Sequence, residues 1–532
     1  MAAMRENRPT RARLVKDEAT APRAMVATKH RAATEAGLAM LEMGGNAIDA
    51  AVAACLAVGV VEPESSGIGG GGYLVYQMDG KGGVIGFPMR APAAAAPDMY
   101  RLTGAATAGV FGWPGVEGDA NIEGALSVAV PGSVAGLYEA HRRFGRLPLA
   151  EVAAPAVAVA RDGFIPDWHE RYVLGLQTGK LHRYDELRRA FTVNGELPAG
   201  PASEPVRLRQ PDLAAVLERI GRDGADGFHR GEVAAAIADG VRALGGVLSE
   251  ADLAAYEPRV WEQGLEVGYR GLTVRVPPFA CAGITSAMTL RLLEGFDVGA
   301  LGHGTVEGVH TYISAARLAY ADRFAYLSDP DFVDAPWHGL VSDGYVAKRR
   351  ALIDDRAQDF APGNPWEFEG RRPAGQLAES KPAWDTGTTH LCVIDADGNA
   401  VSLTNTIMSG FGSGVVPPGT GVVMNNGMMW FDPVPGRVNS VVPGKAALNN
   451  MTPALALDGG GVVLALGASG GRLITNCVTQ TLSNVVDHGM GPQEAVDAPR
   501  VDVSTPWTSV DHRLCAEVLA GLEAKGHRLK VI

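Results

Sequence analysis

GTTHLCVIDADGNAVSLTNT, residues 387–406, decides how the rest of the chain is read. Two alternating runs, 389–394 and 400–405, flank the turn Asp397-Gly398, which is the pattern of a β-hairpin. Immediately upstream, residues 355–385 are rich in Pro, Gly and charge and carry no period, so they read as a long exposed linker. In isolation Thr-Thr is a strand-forming pair. At the junction of linker and strand it acquires a second meaning. Cutting Gly387–Thr388 would leave Thr388 with a hydroxyl nucleophile and a free α-amine. That amine, with a pKa of ~7.7–8.0, can act as base for its own hydroxyl. Gly387 leaves the scissile carbonyl open to the Thr388 Oγ, so an N→O acyl shift followed by ester hydrolysis would expose the new N-terminus. This is the N-terminal threonine form of triad chemistry.

The surrounding chain supports an enzyme of some size. It has 532 residues, a net charge of −12, 46% hydrophobic and 20% charged residues. Such a chain buries a large core and is not disordered. Its acidic balance argues against nucleic-acid or anionic-membrane partners. Cys55, Cys281, Cys392, Cys477 and Cys515 are scattered and form no CxxC, so neither a disulfide framework nor a zinc cluster is indicated. The N-terminus lacks an apolar signal core, and the run 47–61 is shorter than the ~18–20 residues of a membrane span, so a cytoplasmic location is expected.

Residues 1–24 read as a polar, poorly ordered leader. A short strand at 25–30, a helix at 32–43 and an Ala-rich helix from 46 to about 60 follow, then strands at 73–77 and 84–87. The middle, 131–345, reads as mostly helical. After the linker come the hairpin, strands at 422–424 and 462–466, and helices at 473–486 and 492–498. The expected class is α+β.

Three motifs compete for a role. Gly67-x-Gly69-x-x-Gly72 matches the dinucleotide fingerprint, but it follows a helix and precedes a strand, the reverse of what pyrophosphate binding needs. It reads as a close-packed turn. His169-Glu170 opens like a zinc-protease motif, but Val173 stands where the second His belongs, leaving a solvated helix end. Gly467-Ala468-Ser469-Gly470-Gly471 lies between a strand and a helix. It fits a nucleophile elbow with Ser469, for which Asp487-His488 and Asp511-His512 are the available partners. Only 63 residues follow Ser469 to supply an acid, a His and the rest of a sheet, so the preferred reading is a turn whose N–H groups form an oxyanion hole at a helix start.

From Met25 to near the C-terminus the chain resembles the γ-glutamyltransferase (glutathione hydrolase) family of N-terminal nucleophile hydrolases. The resemblance is carried in order by MVATKHRAATEAGLAMLEMGGNAIDAAVAACLAVGVVEP, AVPGSVAGL, GGVLSEADLAAYEP, AYADRFAYLSDPDF, TTHLCVIDADGNAVSLTNTI, GTGVVMNN, LNNMTPALAL and LGASGGRLIT. It implies a four-layer αββα sandwich and self-cleavage at Gly387–Thr388. The products would be a large chain, 25–387 after the leader, and a small catalytic chain, 388–532, intertwined in one domain. Thr388 resembles the nucleophile, Thr406 the threonine that hydrogen-bonds it, and Gly470 and Gly471 the oxyanion-hole glycines. No cofactor or metal is implied. The partners implied are a small amide substrate and the second self-cleaved chain, in a heterodimer open to higher assembly.

The substrate-reading positions depart from the family. Pro88 stands where an Arg clamps the α-carboxylate, and Arg90, two residues on, keeps the same face if the strand continues. Trp430 replaces the Asp that holds the α-ammonium, Met408 replaces a polar contact, and Asn449-Asn450 replace a Ser pair. Together with FDPVPGRVNSVVPGK, these changes resemble the acylase-like branch that includes cephalosporin acylases and oxamate amidohydrolases. The expectation is therefore hydrolysis, with transfer also open, of a small amide whose acyl part bears a carboxylate. Arg90 is the first candidate carboxylate contact. Arg437 and Arg472 are further candidates, with structural roles equally open. The alternatives are a true γ-glutamyltransferase with repositioned contacts, a serine hydrolase using Ser469, and an unprocessed binding protein.

Overall fold

The computed structural model describes residues 16–106, 113–198, 205–373 and 387–532. In chain order its first twelve strands are β1 (Met25–Ala27), β2 (Gly71–Met78), β3 (Lys81–Phe87), β4 (Leu102–Ala106), β5 (Pro114–Val116), β6 (Arg259–Trp261), β7 (Leu265–Tyr269), β8 (Leu272–Val276), β9 (Thr389–Ile394), β10 (Ala400–Thr406), β11 (Ala454–Asp458) and β12 (Gly461–Leu466). The hairpin expected from its alternation forms as β9–β10, with Ala400 opposite Ile394 and Asn405 opposite Thr389.

Two antiparallel sheets result, in the orders β1-β9-β10-β2-β3-β6 and β12-β11-β8-β7, while β4 and β5 pair apart from both. Period-2 alternation divides the first sheet's residues between two faces. Leu74, Tyr76, Leu391, Val393, Val401 and Leu403 meet the helical layer that includes Arg31–Glu42, Ala47–Val61 and Ser133–Phe144. Val75, Val84, Ala400 and Leu455 join the two sheets across the middle. The second sheet's Val274, Val276, Ala454 and Ala456 pack on helices Gly283–Leu293, Val306–Tyr326 and Leu473–Val486. The class is α+β and the layering is αββα.

Helix Ala47–Val61 is buried at every one of its fifteen positions. Its run of small side chains lets it lie close to the sheet. Asn46 and Asp49 close a reciprocal capping box at its start, which satisfies donors that burial would otherwise orphan. The loop after this helix brings Gly70 against β10, where a Cβ would sit 2.1 Å from the Thr406 carbonyl oxygen. The glycines of 67–72 thus form the close-packed turn expected of them. Strands from before and after Thr388 share both sheets: β9 and β10 lie between β1 and β2, and β11 pairs with β8.

Several expectations need correction. The run 422–424 forms no named strand and joins no named sheet. Left-handed Gly419 and Gly421 bend the chain before it, and its backbone bonds Ser413 and Val415 instead. The middle region is not purely helical, since β6, β7 and β8 lie within it. Glu170 is no solvated helix end: it is 5% exposed and closes a capping box with Asp167. Burial and the neighbouring Asp167 push its carboxyl up to about 8. The linker expected at 355–385 is pinned where it is described. Pro365–Phe368 forms a 3-10 turn, Phe368 packs on Tyr345, and the Gly339 N–H donates to Glu369. Residues 374–386 lie outside the described residues, as does 1–15 of the expected leader. Described leader residue Glu18 accepts from the Gln493 N–H at 3.1 Å. Among the described residues no helix is long and apolar enough to cross a membrane.

Candidate active site

Directly opposed residues on neighbouring antiparallel strands point to one face. Thr404 opposes both His390 and Tyr73, and Thr406 opposes Gly71. The row beyond His390 and Thr404 is Thr388 and Thr406, so these side chains share the face turned to the second sheet. The alternate row, Thr389 and Asn405, faces the helices, where Asn405 donates to Ser66 and accepts from Ser133. Strand period alone therefore aims Thr388 away from the helical core.

Thr388 is 2% exposed and Thr406 is fully buried. The Thr388 hydroxyl lies 2.5 Å from the Gly387 carbonyl oxygen and 3.2 Å from the Thr406 hydroxyl. Thr406 donates to the same carbonyl at 2.7 Å and accepts from the Met408 N–H at 2.8 Å. The carbonyl of the Gly387–Thr388 peptide bond thus accepts from the Thr388 hydroxyl and is polarised by a second one. Gly387 has φ +134°, and a Cβ there would lie 2.6 Å from the Met408 carbonyl oxygen. Met408 itself has φ +91°, unusual for a side-chain-bearing residue, so backbone strain borders the Gly387–Thr388 bond. Asn426 tethers the adjoining turn: its amide donates to Ser409 Oγ at 2.6 Å and to the Ile122 carbonyl at 2.7 Å.

The glycine turn arrives from the second sheet. Ser402 donates to the Leu466 carbonyl at the end of β12, and the Gly467 backbone lies against the His390 ring. Gly470 and Gly471 follow with φ +115° and +59°, leading into helix Leu473–Val486. N–H groups at such a helix start lack partners within the helix and favour negative charge. Among the described residues the histidines available to Ser469 are engaged elsewhere: His488 stands edge-on to His303, and His512 lies against the Ile532 carbonyl. Asp487 is held by Arg270, Ser483 and Tyr269, and Asp511 by Arg513.

The other candidates are placed as follows. Strand β3 ends at Phe87, so the premise that carried Arg90 onto the strand's face is not met. Arg90 lies over the Tyr256 ring and donates to the Glu257 carbonyl at 3.0 Å. Arg437 pairs with buried Asp432 at 3.1 Å, and Arg472 donates to the Ser504 carbonyl at 2.9 Å. Trp430 and Met408 lie in one apolar cluster with Tyr73, Met428, Phe431 and Met451. Asn449 donates to Tyr73 Oη at 3.1 Å, and Asn450 Oδ1 accepts from Arg323 at 3.0 Å.

Sequence reasoning missed His390 and Arg323. His390 bonds Thr404 Oγ1 at 2.9 Å and Cys392 Sγ at 3.1 Å, and burial drives its pKa down to about 3, so it is neutral. Its position two residues after Thr388, hence on the same face, was the available signal. Arg323 had none, since a basic residue in the last turn of a long helix is ordinary by sequence.

An αββα sandwich with a threonine leading into a central strand, and a glycine turn from the facing sheet lying against that strand's His390, has the architecture of the N-terminal nucleophile hydrolases. Within that class the chain belongs to the gamma-glutamyltranspeptidase family, whose model matches residues 33–531. It is 37% identical over 522 residues to the acylase ACY 1 proenzyme of Pseudomonas sp. (strain SE83), covering 97% of this chain and 88% of that one. It is 34% identical over 512 residues to the glutathione hydrolase proenzyme of Bacillus subtilis (strain 168), covering 95% and 85%. Among solved structures it is similar to the cephalosporin acylase from Bacillus halodurans, with a TM-score of 0.86, 28% identity, and coverage of 100% and 93%. The chain is an enzyme of the hydrolase type these relatives represent.

Proposed function

We propose that this enzyme is a self-processing N-terminal threonine amidohydrolase acting on a small amide whose acyl part carries a carboxylate. The observation that carries the reading is the convergence of the Thr388 and Thr406 hydroxyls on the Gly387 carbonyl oxygen. In processing, Thr388 Oγ attacks the Gly387 carbonyl carbon while Thr406 stabilises the oxygen. The C–N bond breaks, the nitrogen takes the hydroxyl proton, and an ester joins Gly387 to Thr388 Oγ. Water hydrolyses that ester to a Gly387 carboxylate and a free Thr388 N-terminus.

In turnover the Thr388 α-amine takes the hydroxyl proton, Oγ attacks the substrate amide, and the Gly470 and Gly471 N–H groups receive the oxyanion. The leaving amine departs with the proton, and water then releases the acyl group. The two chains, of 387 and 145 residues, would stay together as a heterodimer because they share both sheets. Trp430 and Met408, buried among apolar side chains, offer an acyl-group ammonium no carboxylate. That favours a des-amino acyl group, and the acylase relative supports the same direction.

Denaturing gel electrophoresis tests the processing: the natural chain should give two bands and Thr388→Ala one uncut, inactive chain. A cleaved or active Thr388→Ala protein overturns the reading. For the substrate, kcat/KM for a glutaryl anilide should equal or exceed that for the γ-glutamyl anilide. A more than tenfold preference for the γ-glutamyl compound, about 1.4 kcal/mol, rejects the des-amino assignment.

A further inference from the structure

Arg323, in helix Val306–Tyr326, is 1% exposed. Its guanidinium donates to the Cys281 carbonyl and Thr285 Oγ1, both at 3.1 Å, to the Asn449 carbonyl at 2.6 Å, and to Asn450 Oδ1 at 3.0 Å. Every one of these acceptors is neutral. Among the described residues it forms no ion pair with a carboxylate, and its Nε has no partner. The adjacent Asp322 is engaged elsewhere, with Arg349 at 3.2 Å and Tyr345 at 2.9 Å. Arginine does not shed its proton in a protein, so a full positive charge is enclosed here without an anion. Such burial opposes folding, and a Met or Leu would fill the space without that cost.

Two links join the charge to the face that carries Thr388. Asn449, whose carbonyl Arg323 holds, donates to Tyr73 Oη. Tyr73 opposes Thr404, in the row next to Thr388 and Thr406. Asn450 is gripped by its oxygen, which turns the two N–H donors of its carboxamide away from the cation. In an interior of low dielectric the field of Arg323 reaches such a neighbour with little screening.

We propose that Arg323 is the positioning residue for the substrate's acyl carboxylate. It fixes the Asn450 amide as a donor and supplies, from behind it, the positive charge that the carboxylate answers. This rests on the reading of a carboxylate-bearing acyl group given above, and it moves the charge assignment from Arg90 to a residue enclosed in the helical layer.

The test compares glutaryl anilide with its methyl ester, a neutral twin of the same length. Arg323→Met, Arg323→Lys and Asn450→Ala are each confirmed as processed on a denaturing gel. The natural enzyme should favour the carboxylate substrate. Arg323→Met should lower the carboxylate-to-ester ratio of kcat/KM at least tenfold, chiefly through KM, with the ester falling far less. Arg323→Lys, which keeps charge but loses the fork, should hold the ratio within about threefold of the natural enzyme. A merely structural clamp would depress both substrates together and leave the ratio unchanged, and that result overturns the proposal. If Arg323→Met does not fold, Asn450→Ala decides: loss of the ratio supports the proposal and an unchanged ratio overturns it. A natural enzyme that turns over both compounds without preferring the carboxylate overturns the carboxylate reading itself. A preference that survives every variant overturns only the role of Arg323.

Discussion

The Thr406 hydroxyl donates to the Gly387 carbonyl oxygen across 2.7 Å, joining the end of β10 to the residue that precedes β9. Nineteen positions apart in sequence, the two meet because the β9–β10 register sets Asn405 opposite Thr389, and so brings Thr406 to the start of β9. A strand pair therefore serves as the scaffold for the Gly387–Thr388 bond at its own open end, the bond proposed to be cut.

Removing that donor should slow processing. Thr406→Val keeps the shape but deletes the hydroxyl, leaving the Met408 N–H without its acceptor as well. Loss of one oxyanion donor costs roughly 10²–10³ in rate. Fresh protein should be largely uncut and mature slowly on a denaturing-gel time course, with Thr406→Ser restoring much of the rate. Processing at the natural rate in Thr406→Val would remove Thr406 from the mechanism.

Gly387→Ala should act on the precursor alone. A φ of +134° and a Cβ 2.6 Å from the Met408 carbonyl both oppose alanine, at a cost of about 1–3 kcal/mol. Relief requires the scissile carbonyl to shift away from Thr406, so cleavage should slow. After cleavage residue 387 is a free chain end. The cut fraction should therefore show the natural kcat, measured per mole of the 145-residue chain. A lowered kcat in fully cut protein would give Gly387 a role in turnover instead.

Glu64 provides a pH prediction. It is 4% exposed, and burial together with the charge of nearby Glu62 raises its carboxyl from the ordinary 4.5 to about 7. The folded chain thus keeps a proton that the unfolded chain releases, and stability falls as pH rises from 4.5 to 7. Above pH 7 the loss is complete, on the order of 3 kcal/mol. Glu64→Gln retains an acceptor for the Ser65 hydroxyl and carries no charge. By calorimetry its Tm should exceed that of the natural protein at pH 8, and the difference should vanish near pH 4.5. An equal offset at both pH values would assign the effect to packing.

Much of this protein was legible locally. The Asp397-Gly398 turn between two alternating runs marks the hairpin, whose loop closes over residues 396–398 inside the Asp395–Asn399 backbone bond with Gly398 in the left-handed region. The Ala-rich run after Asn46 gives a capped, wholly buried helix, and the linker-to-strand junction marks Thr388. These are matters of period, capping and turn chemistry, all contained within a few neighbouring residues.

What depends on distant partners was not legible. Arg90 was carried forward by strand periodicity, but β3 stops at Phe87, and contacts to Tyr256 and Glu257 turn its side chain aside. The run at 422–424 has strand composition and no sheet, since the left-handed glycines before it break its course. Arg323 sits unremarkably in its helix by sequence. Only the packing of that helix against Cys281, Asn449 and Asn450 shows a cation enclosed without a carboxylate. Chain period and turn chemistry determined where Thr388 stands. Which groups enclose Arg323 was decided by contacts with segments 42 and 126 residues away, where burial and hydrogen-bond satisfaction outweigh any local preference.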